Sequence, residues 1–199
     1  MKTLILDASY QQKVALLENG KLVCKIESES VKADRFMELI DKLLKESGSN
    51  IDQINEICVN IGPGSFTGIR VAVSIAKGLG ITKNIKFKTF NSFDYFKNGA
   101  NVVLVGFSDY VYLKKTDGSM DCVNINELDK NQKYVVSDLS LKEKMTEHGL
   151  DVAIEDLLPF DQIDAIVNGR VVSISEIRPL YLRKSQAEIQ RENKVLGVK

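Results

Sequence analysis

The chain has 199 residues, of which 44% are hydrophobic, and its 27 basic residues balance its 27 acidic ones. This composition is typical of a globular protein with a buried core, and the length allows one large domain or two lobes of about 100 residues each. A net charge of zero creates no global field toward nucleic acid or membranes. No apolar run approaches the ~18 residues of a membrane span, and no signal-like apolar region is present. We therefore expect a soluble cytoplasmic protein.

Cysteine and histidine are scarce. The three cysteines are isolated in the sequence, and Cys24 and Cys58 lie in strand-like apolar runs. We expect reduced core residues rather than disulfides or metal ligands. The single histidine, His148, precedes Gly149 and indicates a helix end. One histidine excludes a His–His metal site, so we expect no metal site in this chain.

The first residues predict three antiparallel strands. Residues 3–9, 14–17 and 22–26 are apolar runs, and Asn19–Gly20 between the last two is a strong hairpin signal. Asp7 lies at the carboxyl end of the first strand. Its carboxylate is suited either to face magnesium or a phosphate group, or to hold a turn by accepting hydrogen bonds from the following amides.

Residues 34–47 predict an amphipathic helix that ends before Gly48. The apolar run at residues 57–61 predicts the next strand. With the helix that follows it, the order βββαβα indicates a mixed sheet with helices packed on it. Five apolar side chains define one face of the first helix: Phe36, Leu39, Ile40, Leu43 and Leu44.

A glycine turn opens the second helix. Gly62 and Gly64 flank Pro63 and can adopt backbone angles that other residues avoid, and Ser65 occupies the N-cap position. The loop matches neither a P-loop, nor a nucleophile elbow, nor a dinucleotide fingerprint. Together with Asp7, it can cradle an anion on backbone N–H groups, or simply connect a strand to a helix.

One side of the second helix carries small residues at every fourth position: Gly68, Ala72, Ala76 and Gly80. Glycine inside a helix costs about 1 kcal/mol relative to alanine, so this small-residue stripe needs a compensating role. Close approach of another helix or of another backbone would supply one. The alternative is a buried helix packed on its own sheet, and the pattern does not separate the two.

The rest of the chain predicts shorter elements and a second lobe. A strand at residues 86–89 and a short helix or turn at residues 92–97 precede an Asn/Gly-rich boundary. We therefore expect two lobes, residues 1–98 and residues 99–199, the second of them short. The second lobe is predicted to hold a hairpin (101–107 and 110–115), a strand (134–136), a helix beginning in residues 161–167 and an extended segment (177–183).

The carboxyl-terminal tail is basic. From Arg178 onward it holds six basic and two acidic residues, a net charge of six minus two, or +4. Charge runs at chain ends are usually solvated. Because the tail lacks the interleaved aromatic residues typical of nucleic-acid binding, we expect a solvated tail rather than direct contact with nucleic acid.

The stretch Gly62-Pro-Gly-Ser-Phe-Thr-Gly-Ile-Arg70, the strand Leu4–Ser9 and the segment Pro179-Leu-Tyr-Leu-Arg183 together resemble motifs of the TsaB (YeaZ) family of bacterial tRNA-modification proteins. The resemblance covers residues 1–95 well and the middle of the chain poorly. Lys32-Ala33 stands where that family often has His-Ser, so the start of the first helix departs from the pattern.

This resemblance implies an α/β fold of the actin-like, Hsp70-like ATPase (ASKHA) type, with two related lobes of mixed sheets flanked by helices. It also implies a role in forming N6-threonylcarbamoyladenosine next to the anticodon of tRNAs that read codons beginning with A. In that family the transfer chemistry belongs to a paralogous partner, TsaD, which the ATPase TsaE joins. TsaB is the non-catalytic subunit that supports TsaD.

On this basis we expect no catalytic residue, a TsaD-like and a TsaE-like partner, a homodimer when the chain is alone, indirect contact with tRNA and no membrane association. We expect no cofactor on the chain alone, whereas ATP and magnesium can bind at the level of the complex. The expected partner-binding residues lie on the first two helices: Phe36, Leu39, Ile40, Leu43, Leu44, Gly68, Ile69, Ala72, Val73 and Ala76.

Two enzymatic alternatives compete with this interpretation. An ATP-dependent kinase or hydrolase of the same fold would grip phosphates with Asp7 and the loop Gly62–Ser65, but the sequence offers no convincing second phosphate loop. A glycoprotease would need a base for Ser65, and the only histidine, His148, belongs to the other predicted lobe.

Overall fold

A computed structural model describes residues 1–28, 35–81, 85–97, 99–163 and 171–183. The chain divides into two compact units. The first unit combines residues 1–98 with 155–180, and the second combines residues 99–154 with 181–199. The division at residue 98 is where the sequence predicts a boundary. The expected second lobe of residues 99–199 is corrected, however, because the described residues 155–163 and 171–180 belong to the first unit.

The described residues form, in chain order, strands β1 (Lys2–Asp7), β2 (Gln12–Glu18) and β3 (Lys21–Ser28), helix α1 (Phe36–Glu46), strand β4 (Glu56–Asn60), helix α2 (Phe66–Ile81), strands β5 (Lys86–Phe90), β6 (Asn101–Phe107), β7 (Tyr110–Lys114), β8 (Met120–Asn124) and β9 (Lys133–Val136), helix α3 (Leu139–Glu147), and strands β10 (Asp151–Ile154) and β11 (Val171–Val172). Short 3-10 helices form at residues 51–53, 92–95, 125–127 and 160–162.

The first unit contains a mixed sheet with the order β11-β5-β4-β1-β2-β3. Strands β1, β4 and β5 are parallel, while β1, β2 and β3 form an antiparallel meander. The turn between β2 and β3 has positive φ at both Asn19 (51°) and Gly20 (76°), which matches the hairpin turn that the sequence predicts. Strand β11 pairs with β5, and this pairing joins the late segment to the first unit.

The second unit repeats the strand arrangement of the first. Its sheet has the order β10-β9-β6-β7-β8, in which β6, β7 and β8 form an antiparallel meander and β6, β9 and β10 are parallel. Helix α3 connects β9 to β10, as α2 connects β4 to β5. The position of α1 is taken by only a 3-10 helix at residues 125–127. The two units are therefore related α/β lobes, as the resemblance implies. The second is the shorter one, as expected from the length of the sequence after residue 98.

Strands β8 and β10 of the second unit are not predicted from the sequence, and helix α3 is anticipated only through its end at His148. Neither strand contains a buried residue: β8 is exposed or only partly buried, and β10 is a four-residue strand that is mostly exposed. Helix α3 buries only Leu141 and Met145, and its clearest local signal is Asp138, whose carboxylate accepts a hydrogen bond from Leu141 N at 2.7 Å. Of the predicted helix start at 161–167, residues 164–167 lie outside the described part of the chain, as does the tail from residue 184.

Helix α1 confirms the amphipathic prediction. Its inner face packs into the core of the first unit, with Leu39 partly buried at the edge. Gly48 has a positive φ of 62° and donates its N–H to Lys45 O at 3.1 Å, which ends the helix as predicted. The buried side chains of this helix are Phe36, Ile40, Leu43 and Leu44.

Within the described part of the chain, none of the helices combines the length and the apolar character that crossing a bilayer requires.

Candidate functional site

The glycine loop that the sequence singles out connects β4 to α2. Gly62 and Gly64 have positive φ values of 106° and 152°, and the Gly62–Pro63 peptide bond is cis. Ser65 Oγ accepts a hydrogen bond from Gly68 N at 3.2 Å, so this hydroxyl caps the helix as predicted. The loop is therefore a tight strand-to-helix connection, in which the glycines allow the positive φ angles and Ser65 caps the helix.

The same loop is pressed against the backbone that follows β1. Ser65 N donates to Ser9 O at 2.5 Å. A Cβ atom on Gly64 would overlap the carbonyl group of Ser9, and a Cβ atom on Gly68 would overlap the carbonyl oxygen of Ala8. Both glycines are thus required by close packing inside the chain itself.

The small-residue stripe of α2 faces this interior. Gly68 approaches backbone, Gly80 would meet the ring of Phe87 if it carried a Cβ atom, and Ala72 and Ala76 are buried in the core. Of the two readings left open by the sequence, the structure supports a helix packed on its own sheet. The compensating close approach comes from the chain's own backbone.

Asp7 ends β1 with a buried carboxylate that is only 2% exposed. Its Oδ1 accepts hydrogen bonds from Ser9 N and Ser9 Oγ, both at 2.7 Å, and its Oδ2 accepts one from Tyr95 Oη at 2.5 Å. Each oxygen therefore already has a donor within the chain. The geometry favours the turn reading of Asp7 over the phosphate-facing one.

A second set of hydrogen bonds closes the loop from the side of β4. Asn60 Nδ2 lies 3.2 Å from both Ser9 Oγ and Ser92 Oγ, and Asn60 Oδ1 accepts from Gly62 N at 2.7 Å. Ser92 Oγ in turn donates to Pro63 O at 2.7 Å. The structure thus brings together three residues that the sequence suggests as a phosphate cradle, Asp7, Gly62 and Ser65. Their polar groups, however, already form hydrogen bonds with other residues of the chain. The amides of Gly62 and Ser65 point at acceptors of the chain itself.

Tyr95 is the residue of this network that the sequence did not reveal, because no local pattern links it to Asp7. Burial raises the pKa of its hydroxyl well above the ordinary value, and the adjacent Asp7 carboxylate raises it further. The hydroxyl therefore stays protonated and donates to Asp7 throughout the neutral range.

This raised pKa predicts a loss of stability in alkali. A tyrosine whose pKa is higher in the folded state stabilises the fold fully below its unfolded pKa of about 10, and this contribution falls as the pH rises from there toward the folded pKa. We expect the free energy of unfolding to decrease by up to ~1.4 kcal/mol per pH unit more in the wild type than in Tyr95→Phe above about pH 10. Urea unfolding at several pH values measures the free energy of unfolding of both proteins. The same slope against pH for wild type and Tyr95→Phe would contradict the prediction.

The residues expected to bind a partner are largely buried inside this chain. Phe36, Ile40, Leu43 and Leu44 of α1 belong to the core of the first unit, and Leu39 is only partly exposed at its edge. The expected α2 residues Gly68, Ile69, Ala72, Val73 and Ala76 are buried as well. The assignment of these side chains to a partner surface is corrected. Apolar residues at helical spacing indicate that a helix face is buried, but they do not show whether the chain itself or a partner covers that face.

The outer side of α2 is the surface that the sequence reading overlooked. Offset by two residues from the small-residue stripe, an outward stripe of four exposed residues runs along the helix. The Arg70 guanidinium lies 5.0 Å from the centre of the Phe66 ring. The side chains of the stripe become smaller toward the carboxyl end of the helix. We call Phe66, Arg70, Ser74 and Gly78 the outward stripe.

His148 lies at the end of α3, where its Nδ1 is 2.8 Å from Lys144 O. This placement agrees with the predicted helix end. In the described part of the chain, no three His, Cys, Asp or Glu side chains are grouped as a metal ion would require.

Comparisons with known proteins point to one family. The model of the family "TsaD: tRNA N6-adenosine threonylcarbamoyltransferase" matches residues 28–103. The Haemophilus influenzae protein named tRNA threonylcarbamoyladenosine biosynthesis protein TsaB is 38% identical over 78 residues, which are 38% of this chain and 33% of that protein. The Escherichia coli protein of the same name is 30% identical over 112 residues, 52% of this chain and 48% of that protein. The matches thus span less than half the length of either relative.

The fold extends this similarity over nearly the whole chain. YeaZ from Pseudomonas aeruginosa superposes with a TM-score of 0.72 at 19% identity, covering 91% of this chain and 99% of YeaZ. A second structure, described as an uncharacterized protein with similarity to peptidase YEAZ from Pseudomonas aeruginosa, gives a TM-score of 0.73 at 20% identity, covering 92% and 99%. Sequence similarity to curated TsaB proteins and structural similarity to YeaZ therefore agree: over the matched residues the chain is similar to TsaB proteins, and its fold is that of YeaZ.

Proposed function

We propose that this chain is a non-catalytic subunit in the formation of N6-threonylcarbamoyladenosine on tRNA, and that it supports a TsaD-like catalytic subunit. The observation that carries this proposal is the similarity to proteins named for threonylcarbamoyladenosine biosynthesis. A TsaE-like ATPase and a homodimer of the chain alone belong to the same proposal.

The non-catalytic role is supported by the closed network around Asp7. An ATP-dependent enzyme would need this carboxylate and the amides of the glycine loop to be free for phosphate or magnesium. Here Asp7 accepts three hydrogen bonds from Ser9 and Tyr95, and the amides of Gly62 and Ser65 donate to Asn60 Oδ1 and Ser9 O. Phosphate binding would have to break these bonds in a buried site, at a cost of about 1–3 kcal/mol for each polar group left unpaired.

The outward stripe of α2 is the surface that we assign to the TsaD-like subunit. The TsaD family model matches residues 28–103, which include α1 and α2, so the partner is expected to carry an equivalent helix pair. Two such helices can approach closely where side chains are small, as at Ser74 and Gly78. Phe66 and the exposed Ile81 supply apolar area at the two ends of the helix.

Gly78→Leu provides a direct test of this surface. Apart from its two chain neighbours and the backbone of its own helix, no described atom lies within 4 Å of a Cβ atom added at Gly78. The variant is therefore expected to fold normally while its side chain blocks a close helix contact. We expect the amount of TsaD-like protein that co-purifies from the native cytosol to fall about tenfold or more, since a clash worth roughly 1.4 kcal/mol changes affinity tenfold.

Glu143→Leu is the matched control, because it places the same side chain at an exposed position of α3 in the second unit. It should leave co-purification unchanged. Equal capture of the TsaD-like subunit by wild type and Gly78→Leu would refute the surface. Hydrolysis of Mg-ATP by the isolated chain would refute the non-catalytic role.

A further inference from the structure

Two exposed aromatic rings lie side by side at the tip of the β6–β7 hairpin. The rings of Phe107 and Tyr110 have their centres 6.5 Å apart with an angle of 19° between their planes, so they are stacked. Phe107 is 54% exposed and Tyr110 is 39% exposed. Exposing large apolar rings to water is unfavourable in free energy, so these rings are candidates for contact with another molecule.

Arg183, the last residue of the Pro179-Leu-Tyr-Leu-Arg183 motif, lies over both rings. Its guanidinium carbon is 4.3 Å from the centre of the Phe107 ring and 5.2 Å from that of Tyr110. No carboxylate in the described part of the chain forms an ion pair with this guanidinium. Its positive charge therefore faces the rings and solvent and is not neutralised by an acidic group in the described part of the chain.

The hairpin tip that carries the rings is fixed in place. Ser108 adopts a positive φ of 55°, and Lys144 Nζ donates to Ser108 O and to Asp109 Oδ1, each at 2.9 Å. Ile125 N donates to Asp109 O at 2.8 Å. The hydrogen bond from Lys144 also lowers the pKa of Asp109 and pairs the charge of that carboxylate. A rigid platform loses little conformational entropy when a ligand stacks on it.

We propose that Phe107, Tyr110 and Arg183 form a stacking site for unpaired RNA bases. The inference rests on the proposed role in tRNA modification, and it replaces the indirect tRNA contact expected from the sequence with a direct one. It also reverses the argument against nucleic acid drawn from the basic tail. The aromatic residues that the tail lacks in sequence are supplied in space by a hairpin from far earlier in the chain.

RNA fits this site better than a protein partner does. An unpaired base offers a flat ring for stacking on Phe107 or Tyr110, and the adjacent phosphate offers two oxygens to the planar guanidinium of Arg183. The apolar area is narrow, because Asp109 and Lys144 border it. A stable protein interface generally needs a wider buried apolar centre than two rings.

The test measures binding of the full chain to a fluorescein-labelled RNA hairpin with an unpaired loop, by fluorescence anisotropy. We expect Phe107→Ala with Tyr110→Ala to weaken binding about tenfold or more, because stacking on an aromatic ring contributes substantially per base. Arg183→Ala should weaken it similarly. Arg183→Lys should retain only part of the affinity, since lysine keeps the charge but loses the planar stack. Phe107→Tyr should bind as the wild type does.

Two controls separate stacking from general electrostatic attraction. A fully paired RNA duplex of the same length and charge should bind more weakly and respond little to the ring substitutions. Tyr10→Ala removes an aromatic residue of the first unit with a matching exposure of 38% and should leave RNA binding unchanged. Circular dichroism and thermal melting establish that each variant is folded. If the double ring variant is unfolded, Arg183→Ala replaces it as the test of the site.

Unchanged hairpin binding by both the ring variant and Arg183→Ala would overturn the proposal, as would an equal loss for hairpin and duplex. Failure here is distinguishable from failure of the proposed function. The ring variants should still co-purify with the TsaD-like subunit, whereas Gly78→Leu should lose that subunit and still bind the RNA hairpin.

Discussion

Replacing Glu56 with leucine is expected to lower the free energy of unfolding by about 3–5 kcal/mol, the largest effect that we predict for a single side chain. Glu56 Oε1 lies 3.0 Å from Lys88 Nζ, and the two side chains are only 4% and 8% exposed. Thr3 Oγ1 also donates to Glu56 Oε1 at 3.2 Å. Removing the carboxylate takes away the negative charge that Glu56 supplies to the ammonium of Lys88 in a nearly dry site, and desolvation of the ammonium dominates the cost.

A double-mutant cycle makes this prediction specific. Lys88→Met alone should cost a similar amount, because it leaves the carboxylate buried without the ammonium. The combination of Glu56→Leu with Lys88→Met should be much closer to the wild type than the sum of the two, since replacing both charges with apolar groups is often neutral. Urea unfolding followed by circular dichroism gives the three values.

The exposed pair Lys42 and Glu46 on α1 is the matched control. Its charged atoms lie 3.7 Å apart and both side chains are exposed, so Lys42→Met should cost no more than about 0.5 kcal/mol. A Glu56→Leu variant as stable as Lys42→Met, or single effects that simply add in the double variant, would contradict the assigned role of burial.

Gly68→Ala is expected to destabilise the protein by about 2–3 kcal/mol, although alanine is the better helix former by about 1 kcal/mol. The added Cβ atom would overlap the carbonyl oxygen of Ala8, which is backbone and cannot rotate away. Either the first turn of α2 or the segment after β1 must shift, and the shift would disturb the hydrogen bonds from Ser9 to Asp7. The measurement is the free energy of unfolding in urea.

Gly78→Ala in the same helix should have the opposite sign. Gly78 is exposed, and an added Cβ atom would meet no described atom within 4 Å outside its chain neighbours and its own helix backbone, so only the gain in helix propensity remains. We expect a stabilisation of about 0.5–1 kcal/mol. If the two alanine variants change stability in the same direction, then helix propensity rather than the contact at Ala8 governs Gly68.

The first unit is predictable from sequence wherever local chemistry decides. The hairpin at Asn19–Gly20, the cap at Ser65 and the helix end at Gly48 all follow from side-chain or backbone preferences that act within a few residues. The second unit is less predictable because its edge strands β8 and β10 contain no buried residue. Such strands are held by hydrogen bonds to a neighbouring strand rather than by burial of an alternating apolar face.

The candidate site shows the limit of local reasoning most clearly. The sequence identifies Asp7 and the glycine loop, but it does not reveal that Tyr95 donates to that carboxylate from the 3-10 helix after β5. It also identifies the apolar face of α1 without showing that the chain itself covers that face. Such pairings join residues far apart in the chain, and no periodicity encodes them.

The sequence by itself determined the resemblance to the TsaB (YeaZ) family, the order of the main elements in residues 1–98 and the strand–glycine turn–helix geometry, because each depends on residue types acting over a few positions. Only the tertiary structure decided which side of α2 faces outward, that the glycines are needed by the chain's own backbone, and that Arg183 meets Phe107 and Tyr110. The physical reason is that burial and close approach are properties of surfaces assembled from distant segments, whereas propensity and capping belong to the segment itself.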